Sequence, residues 1–249
     1  MKRIVAILLI MVLFFGFCSC GKPKEEVPEY NASEKSEGVM TYAEYDSAAI
    51  GDSVCIEAFV QAHQIWHKDA VSVYAQDPDG GYFIYNMLCS KEDSERLVPG
   101  TKIKVEGKKD EWQGEIRIID ASFIIIEDGS WIAAAEDLTA VIGTEAMDSK
   151  QNILAAFTGV IVAGQPRLKY DGSGINGDDI YLDVNIGGQT YTFMVESYLC
   201  PKNSEVYKAV KAAKPGDKLD IEAFVYRYEE LNPHITSCKA VVEESQGKK

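Results

Sequence analysis

Cys55, Cys89, Cys200 and Cys238 carry the most reactive atoms in the body of this chain, and they fall two to each half. An even number of thiols permits disulfides outside a reducing compartment, and four allow three pairings. Cys55–Cys89 with Cys200–Cys238 would staple each half, whereas Cys89–Cys200 would join equivalent points of both. Free buried thiols fit the sequence equally well. No C-x-x-C pair occurs beyond the N-terminal region, which argues against a zinc site or thioredoxin-like chemistry. His63 and His67 lie four apart with Asp69 close by. Two imidazoles can begin a metal site, but the end of a surface strand explains them, and no metal is assigned. His234 follows Pro233 and has no evident partner in the sequence. Asp77, Asp79 and the glycine-rich acidic run 171–179 offer oxygen ligands. Neither fits the twelve-residue calcium loop, because counting from Asp171 the twelfth residue is Leu182, where that loop needs Glu. There is no G-x-S-x-G, H-E-x-x-H or phosphate-binding loop, and Glu57, Glu106 and Glu222 have no base beside them. The sequence therefore predicts no catalytic residues, no enzyme activity, no cofactor and no metal.

The elements that would position any site are mostly strands, and they are written twice. Residues 82–107 parallel residues 191–223: an aromatic-rich strand reaches Cys89 or Cys200, a short polar helix follows, then Pro-Gly-x-Lys at Pro99 or Pro215, then an alternating strand. The Cys pair is 111 residues apart and the Pro pair 116, so the second helix is the longer. Further strands are expected at 54–64, 70–76 and 115–127, and at 153–163, 179–186 and 234–243. Thr101, Ile103, Val105 and Gly107 alternate with Lys102, Lys104, Glu106 and Lys108, the period-two pattern of a half-buried strand. Lys102, Lys104, Lys108 and Lys109 read as a solvated basic strip. Pro and Gly close the turns at 77–81, 99–100 and 215–216.

Each copy thus reads strand, strand, strand, helix, strand, strand. That order is the one of the OB-fold, a five-stranded Greek-key barrel. The stretches GDSVCIEAFVQ from Gly51, GGYFIYNMLC from Gly80, PGTKIKVEGKKDEW from Pro99 and PGDKLDIEAFVY from Pro215 resemble bacterial extracytoplasmic OB-fold proteins, in particular tandem OB-fold lipoproteins. The resemblance implies a mainly β chain of two tandem OB-fold-like five-stranded Greek-key barrels, each with a short helix between strands 3 and 4. The domains would be 40–127 and 151–244, with a packed connector at 128–150, docked through Trp131, and a tail at 245–249. It also implies a ligand face on strands 2 and 3. Tyr74, Tyr82 and Tyr85 fall on or near that face in the first barrel, Trp66 and Trp112 at strand ends flanking it, and Tyr191 and Phe193 at their counterparts in the second. Tyr226 and Tyr228 belong to an alternating aromatic stripe. Aromatic faces stack on bases or sugar rings, but core and inter-barrel packing also use them.

The N-terminus reads as an address. Lys2 and Arg3 precede an apolar run of residues 4–17, which is shorter than the about 20 residues that span a membrane and suits a signal peptide. The sequence Phe17-Cys18-Ser19-Cys20-Gly21 resembles a bacterial lipoprotein signal. Residues 1–19 would be removed, Cys20 acylated, and residues 20–39 left as a polar, disordered tether to an extracytoplasmic membrane face of the cell envelope. The 249 residues carry a net charge of −14, with 46% hydrophobic residues. That is a globular composition, and its acidity argues against nucleic acid as a partner. The leading expectation is a membrane-anchored, non-catalytic binding or assembly module for a small ligand, an oligosaccharide or an envelope protein. The alternative is a lipoprotein that binds single-stranded nucleic acid or oligosaccharide, as accessory to an extracytoplasmic hydrolase.

Overall fold

The computed structural model describes residues 31–169 and 178–241. The expected signal peptide, Cys20, residues 20–30 of the tether, most of the acidic run 171–179 and the tail lie outside the described residues.

Helix α1 (Tyr42–Ser47) precedes the first barrel, which contains β1 (Ser53–His63), β2 (Ala70–Asp77), β3 (Gly80–Leu88), helix α2 (Lys91–Arg96), β4 (Thr101–Trp112) and β5 (Glu115–Ser130). The strands close in the order β1-β2-β3-β5-β4. All pairings are antiparallel except β3–β5, which meets in parallel at Ile84 and Ile118. Ile56, Ala58, Val60, Val73, Ile84, Ile103 and Val105 are buried in the interior. Tyr82 is there too: it packs on Tyr42 and Tyr45, and its hydroxyl donates to Asp77 at 2.9 Å.

A connector carries β6 (Glu136–Asp137) and a 3₁₀ turn (Glu145–Lys150) before β7 (Leu154–Val162), β8 (Arg167–Lys169), β9 (Asp179–Ile186), β10 (Gln189–Val195), helix α3 (Glu205–Ala212), β11 (Lys218–Phe224), β12 (Arg227–Tyr228), β13 (Glu230–Leu231) and β14 (His234–Ala240). The second sheet runs β6-β7-β11-β14-β10-β9-β8, and a β7–β9 pairing closes its five main strands into the same ring. Again strands 3 and 5 meet in parallel, at Met194 and His234. The chain is therefore mainly β, with two OB-type barrels and a helix between the third and fourth strands of each. Trp131 lies on the Phe59 ring at 5.8 Å, and Leu138 and Ile142 sink into the second core.

Two expectations change. Residues 31–39 are not a free tether, because they lie on the first barrel. Lys35 Nζ reaches Asp77 Oδ2 at 2.5 Å and the Glu57 carbonyl at 2.6 Å, and the Ser36 amide donates to Glu57. The basic strip is only partly a solvated face: Lys108 is exposed, but Lys102 and Lys109 are not. Lys102 pairs with buried Glu57 at 3.2 Å. Lys109 shares the inward parity of Ile103 and Val105, is buried, and donates to the carbonyls of Tyr45, Asp46 and Ala48 at the end of α1. An ammonium at a helix C-terminus satisfies carbonyls that have no intrahelical partner.

The two barrels belong to one compact unit. Tyr74 and Phe83 from the first pack with Phe224 and Tyr226 from the second, with Tyr74 and Phe224 stacked at 4.1 Å. Around them, the Ile65 amide donates to the Tyr198 carbonyl at 2.8 Å, Leu154 N to Gln76 at 2.9 Å, and Gln151 and Asn152 side chains to the Gly114 and Ile116 carbonyls. Glu115 is fully buried here and accepts from Arg227 N and Gln151.

Candidate functional site

Between the barrels, against β3 and the β4–β5 hairpin of the first, lies a cleft of about 370 Å³. Phe83, Tyr85, Trp112 and Arg117 line it from the first barrel, with Gln64 beyond the end of β1; Glu196, Tyr226 and His234 line it from the second. It adjoins a second groove of about 570 Å³ through the shared residues Gln64, Tyr85 and Glu196.

Local backbone irregularities aim the first-barrel residues. Val71 pairs with Met87 but Val73 with Ile84, so β3 carries one more residue than β2 at Tyr85–Asn86. Such a bulge turns side chains away from strict alternation. Asn86 takes φ +48, a left-handed conformation that Asn tolerates, and its amide is held by Ser72 Oγ at 3.2 Å. Tyr85 consequently stands out of the sheet, 38% exposed. Trp112 is the last β4 residue before the two-residue Gln113–Gly114 turn, where both residues have positive φ, the geometry of a tight hairpin. It is 42% exposed and leans on Tyr228 of the second barrel at 5.2 Å. The Arg117 guanidinium lies over the Tyr85 ring at 4.6 Å and 5.4 Å from Trp112, while its Nε donates to Asp110 at 2.7 Å. Cation–π contact thus fixes the aromatic wall.

The floor is polar. His234 opens β14, is 3% exposed, stacks on Tyr226 at 4.0 Å and shares a 2.8 Å hydrogen bond between Nδ1 and the Tyr74 hydroxyl. Burial pushes its pKa down to about 3, so the ring is neutral. Its Nε2 is buried without a hydrogen-bond partner among the described residues. Glu196 follows β10, accepts from Gln64 Nε2 at 2.7 Å through Oε1, and has Oε2 buried without a hydrogen bond among the described residues, 3.6 Å from His234 Nδ1. Burial pushes this carboxyl up to about 7, with the Gln64 bond opposing and Asp179 adding to the shift. Buried polar atoms are nearly always paired, so two unpaired ones at one cleft floor mark a place suited to a hydrogen-bonding ligand.

The structure divides the candidate aromatics. Tyr85, Trp112 and Tyr226 meet in the cleft, Tyr228 supports Trp112, and Tyr74 lies beneath, holding His234. Tyr82 and Phe193 are interior instead, the latter against Phe157 at 4.9 Å. Tyr191 bonds Gln189 and the Ile142 carbonyl, and Trp66 donates to the Cys89 carbonyl at 2.7 Å. Their alternation gave the strand but not which of its faces fills a core. Gln64, Arg117 and Glu196 escaped the sequence reading, and His234 stood there only as a histidine without an evident partner. One signal was present: the 111-residue separation that superposes Cys89 on Cys200 also superposes Tyr85 on Glu196.

The four described cysteines are free thiols, so neither the stapling pairs nor Cys89–Cys200 is formed. Burial holds Cys89, Cys200 and Cys238 up near 11, which keeps them protonated and weakly nucleophilic. His63 contacts the Gln64 carbonyl at 2.6 Å. Among the described residues no group of three or more His, Cys, Asp or Glu side chains could hold a metal, and no helix is long and apolar enough to cross a membrane.

This architecture defines a tandem OB-fold protein with a cleft between its barrels. No protein-family model matches the chain, and no curated protein matches it. Solved structures that are similar include the tetrameric p202 HIN2, at 9% identity over 77% of this chain and 95% of that one with a TM-score of 0.33. A murine DNA-binding protein bound with double-stranded DNA matches at 9% over 78% and 99%, TM-score 0.34. A deletion mutant of the single-stranded DNA binding protein from Thermus aquaticus matches at 13% over 81% and 100%, TM-score 0.28.

Proposed function

We propose that the protein is a non-catalytic binding module whose ligand occupies the cleft between the barrels, and that acylated Cys20 holds it at an extracytoplasmic membrane face. One observation carries the binding reading: exposed Tyr85 and Trp112 line the same cleft as Glu196 and His234, whose buried Oε2 and Nε2 have no hydrogen-bond partner among the described residues. The volume supports it, since small-molecule sites occupy roughly 300–1,000 Å³. The three tryptophans make the test direct. Envelope fractions added to the ¹⁵N-labelled protein should shift the Trp112 indole resonance and leave Trp66 and Trp131 in place. A ligand that moves Trp131 and not Trp112 would relocate the site.

The anchor has its own test. A palmitate analogue fed to cells making the protein should label it, and Cys20→Ser should abolish the label. An unlabelled wild-type chain rejects the anchor and leaves the cleft untouched.

A second reading, single-stranded nucleic acid, is supported by the Tyr85–Arg117–Trp112 stack, because rings and guanidinium planes stack on bases. It requires an affinity that falls steeply with salt.

A further inference from the structure

The following inference rests on the cleft being the binding site. The geometry points to one neutral sugar ring of an oligosaccharide as the occupant of the cleft floor, hydrogen-bonded by Gln64, Glu196 and His234 beneath the rings of Tyr85 and Trp112.

Three observations favour a polyhydroxylated ring. The first is the floor chemistry. A hydroxyl both donates and accepts, so once the Glu196 and His234 side chains turn toward the cleft it pairs with Glu196 Oε2 in either protonation state and with His234 Nε2 in either tautomer; without a ligand both atoms are buried. A phosphate has oxygens that chiefly accept, and it would face the Glu196 carboxyl. The second is charge. Among the described residues lining the 370 Å³ cleft Arg117 is the one cation, and Asp110 already holds its Nε at 2.7 Å. In a chain of net charge −14, little remains to attract a polyanion. The third is the wall. Tyr85 and Trp112 offer apolar ring faces to the C–H face of a sugar, and Glu196 and His234 come from the other barrel, so a ring is gripped from both sides. The adjoining groove of about 570 Å³ gives neighbouring rings a path onward.

The test uses the purified full chain with malto-, cello-, manno- and chitotetraose at millimolar concentration, and dodecathymidylate as the nucleic-acid probe. Binding is read by calorimetry and by the Trp112 indole resonance. At least one tetrasaccharide should bind. Trp112→Ala and Glu196→Ala should each weaken it by about tenfold or more, with unchanged circular dichroism. Glu196→Gln, which keeps donor and acceptor but not the charge, should retain most of the affinity. Dodecathymidylate should not compete. Failure of all four sugars overturns the inference, as does sugar binding indifferent to Trp112→Ala and Glu196→Ala, or dodecathymidylate taking the cleft instead. If the sugars fail while an envelope fraction still moves the Trp112 indole, the sugar assignment falls and the cleft reading stands. If nothing moves it, both fall.

Discussion

Glu115 sits where β5 meets the second barrel, and its proton links folding to pH. Burial pushes the carboxyl up to about 8, outweighing the bonds from Arg227 N and Gln151 that oppose the shift. An unfolded Glu titrates near 4.5. Between these values the folded chain holds a proton that the unfolded chain has lost, so this group costs stability as pH rises from about 4.5 to 8. Glu115→Gln removes the titration and keeps an acceptor for Arg227 N and Gln151, its amide nitrogen taking the place of Oε1, which has no hydrogen-bond partner among the described residues. The variant should be no more stable than wild type at pH 5 and more stable at pH 9, by about 2–4 kcal/mol. Urea melts at both pH values check this, and equal differences between the proteins at both would refute it. His234 runs the other way. Its folded pKa lies near 3 against 6.5 unfolded, so its contribution is lost as pH falls below about 6.5. The same histidine that lines the cleft therefore weakens the fold in acid.

At the scale of elements, the strand order could be read from the sequence because period two and the Pro-Gly stops are local signals. The helix between the third and fourth strands of each copy followed from them, whereas closure into a barrel came from the OB-fold resemblance. The burial of Lys109 was legible by the same rule, since it continues the parity of Ile103 and Val105, but four lysines close in sequence suggested a solvated face. The three carbonyls that Lys109 caps belong to α1, more than 60 residues away, and no pattern within β4 announces them. Lys109→Met should cost about 1.5–3 kcal/mol, the range for hydrogen bonds to a charged group, and a thermal melt measures it. The bulge at Tyr85–Asn86 had no signal beyond an Asn inside a strand, yet it decides which tyrosine of β3 is presented. A β-branched residue is disfavoured at φ +48, so Asn86→Val should cost about 1–2 kcal/mol and shift the Arg117 Nε resonance as Tyr85 leaves its side. Asn86→Gly should keep both stability and that resonance. A stable Asn86→Val protein with the Arg117 signal unmoved would mean that the bulge does not hold Tyr85.

At the scale of the molecule, duplication was legible and docking was not. The repeat announces two barrels, but the cleft exists only because Tyr74, Phe83, Phe224 and Tyr226 hold them in one arrangement, and no sequence period encodes a contact between residues some 150 positions apart. Gly81 tests that arrangement. A Cβ there would lie 2.3 Å from the Asn152 carbonyl carbon and 2.5 Å from Ile153 N, both backbone, so the linker just before β7 passes against β3 only because position 81 has no side chain. Gly81→Val cannot be absorbed by a rotamer; either β3 or the linker must move, and with it the bonds from Gln151, Asn152 and Leu154 to the first barrel. The shared aromatic cluster and the buried Glu115 make the wild-type barrels unfold together, and calorimetry should show one transition. In Gly81→Val the coupling should break into two transitions, the first at lower temperature, with overpacking costing about 1–3 kcal/mol. Two transitions in the wild type, or one unshifted transition in the variant, would show that the barrels fold independently and that the cleft between them is not built into the fold.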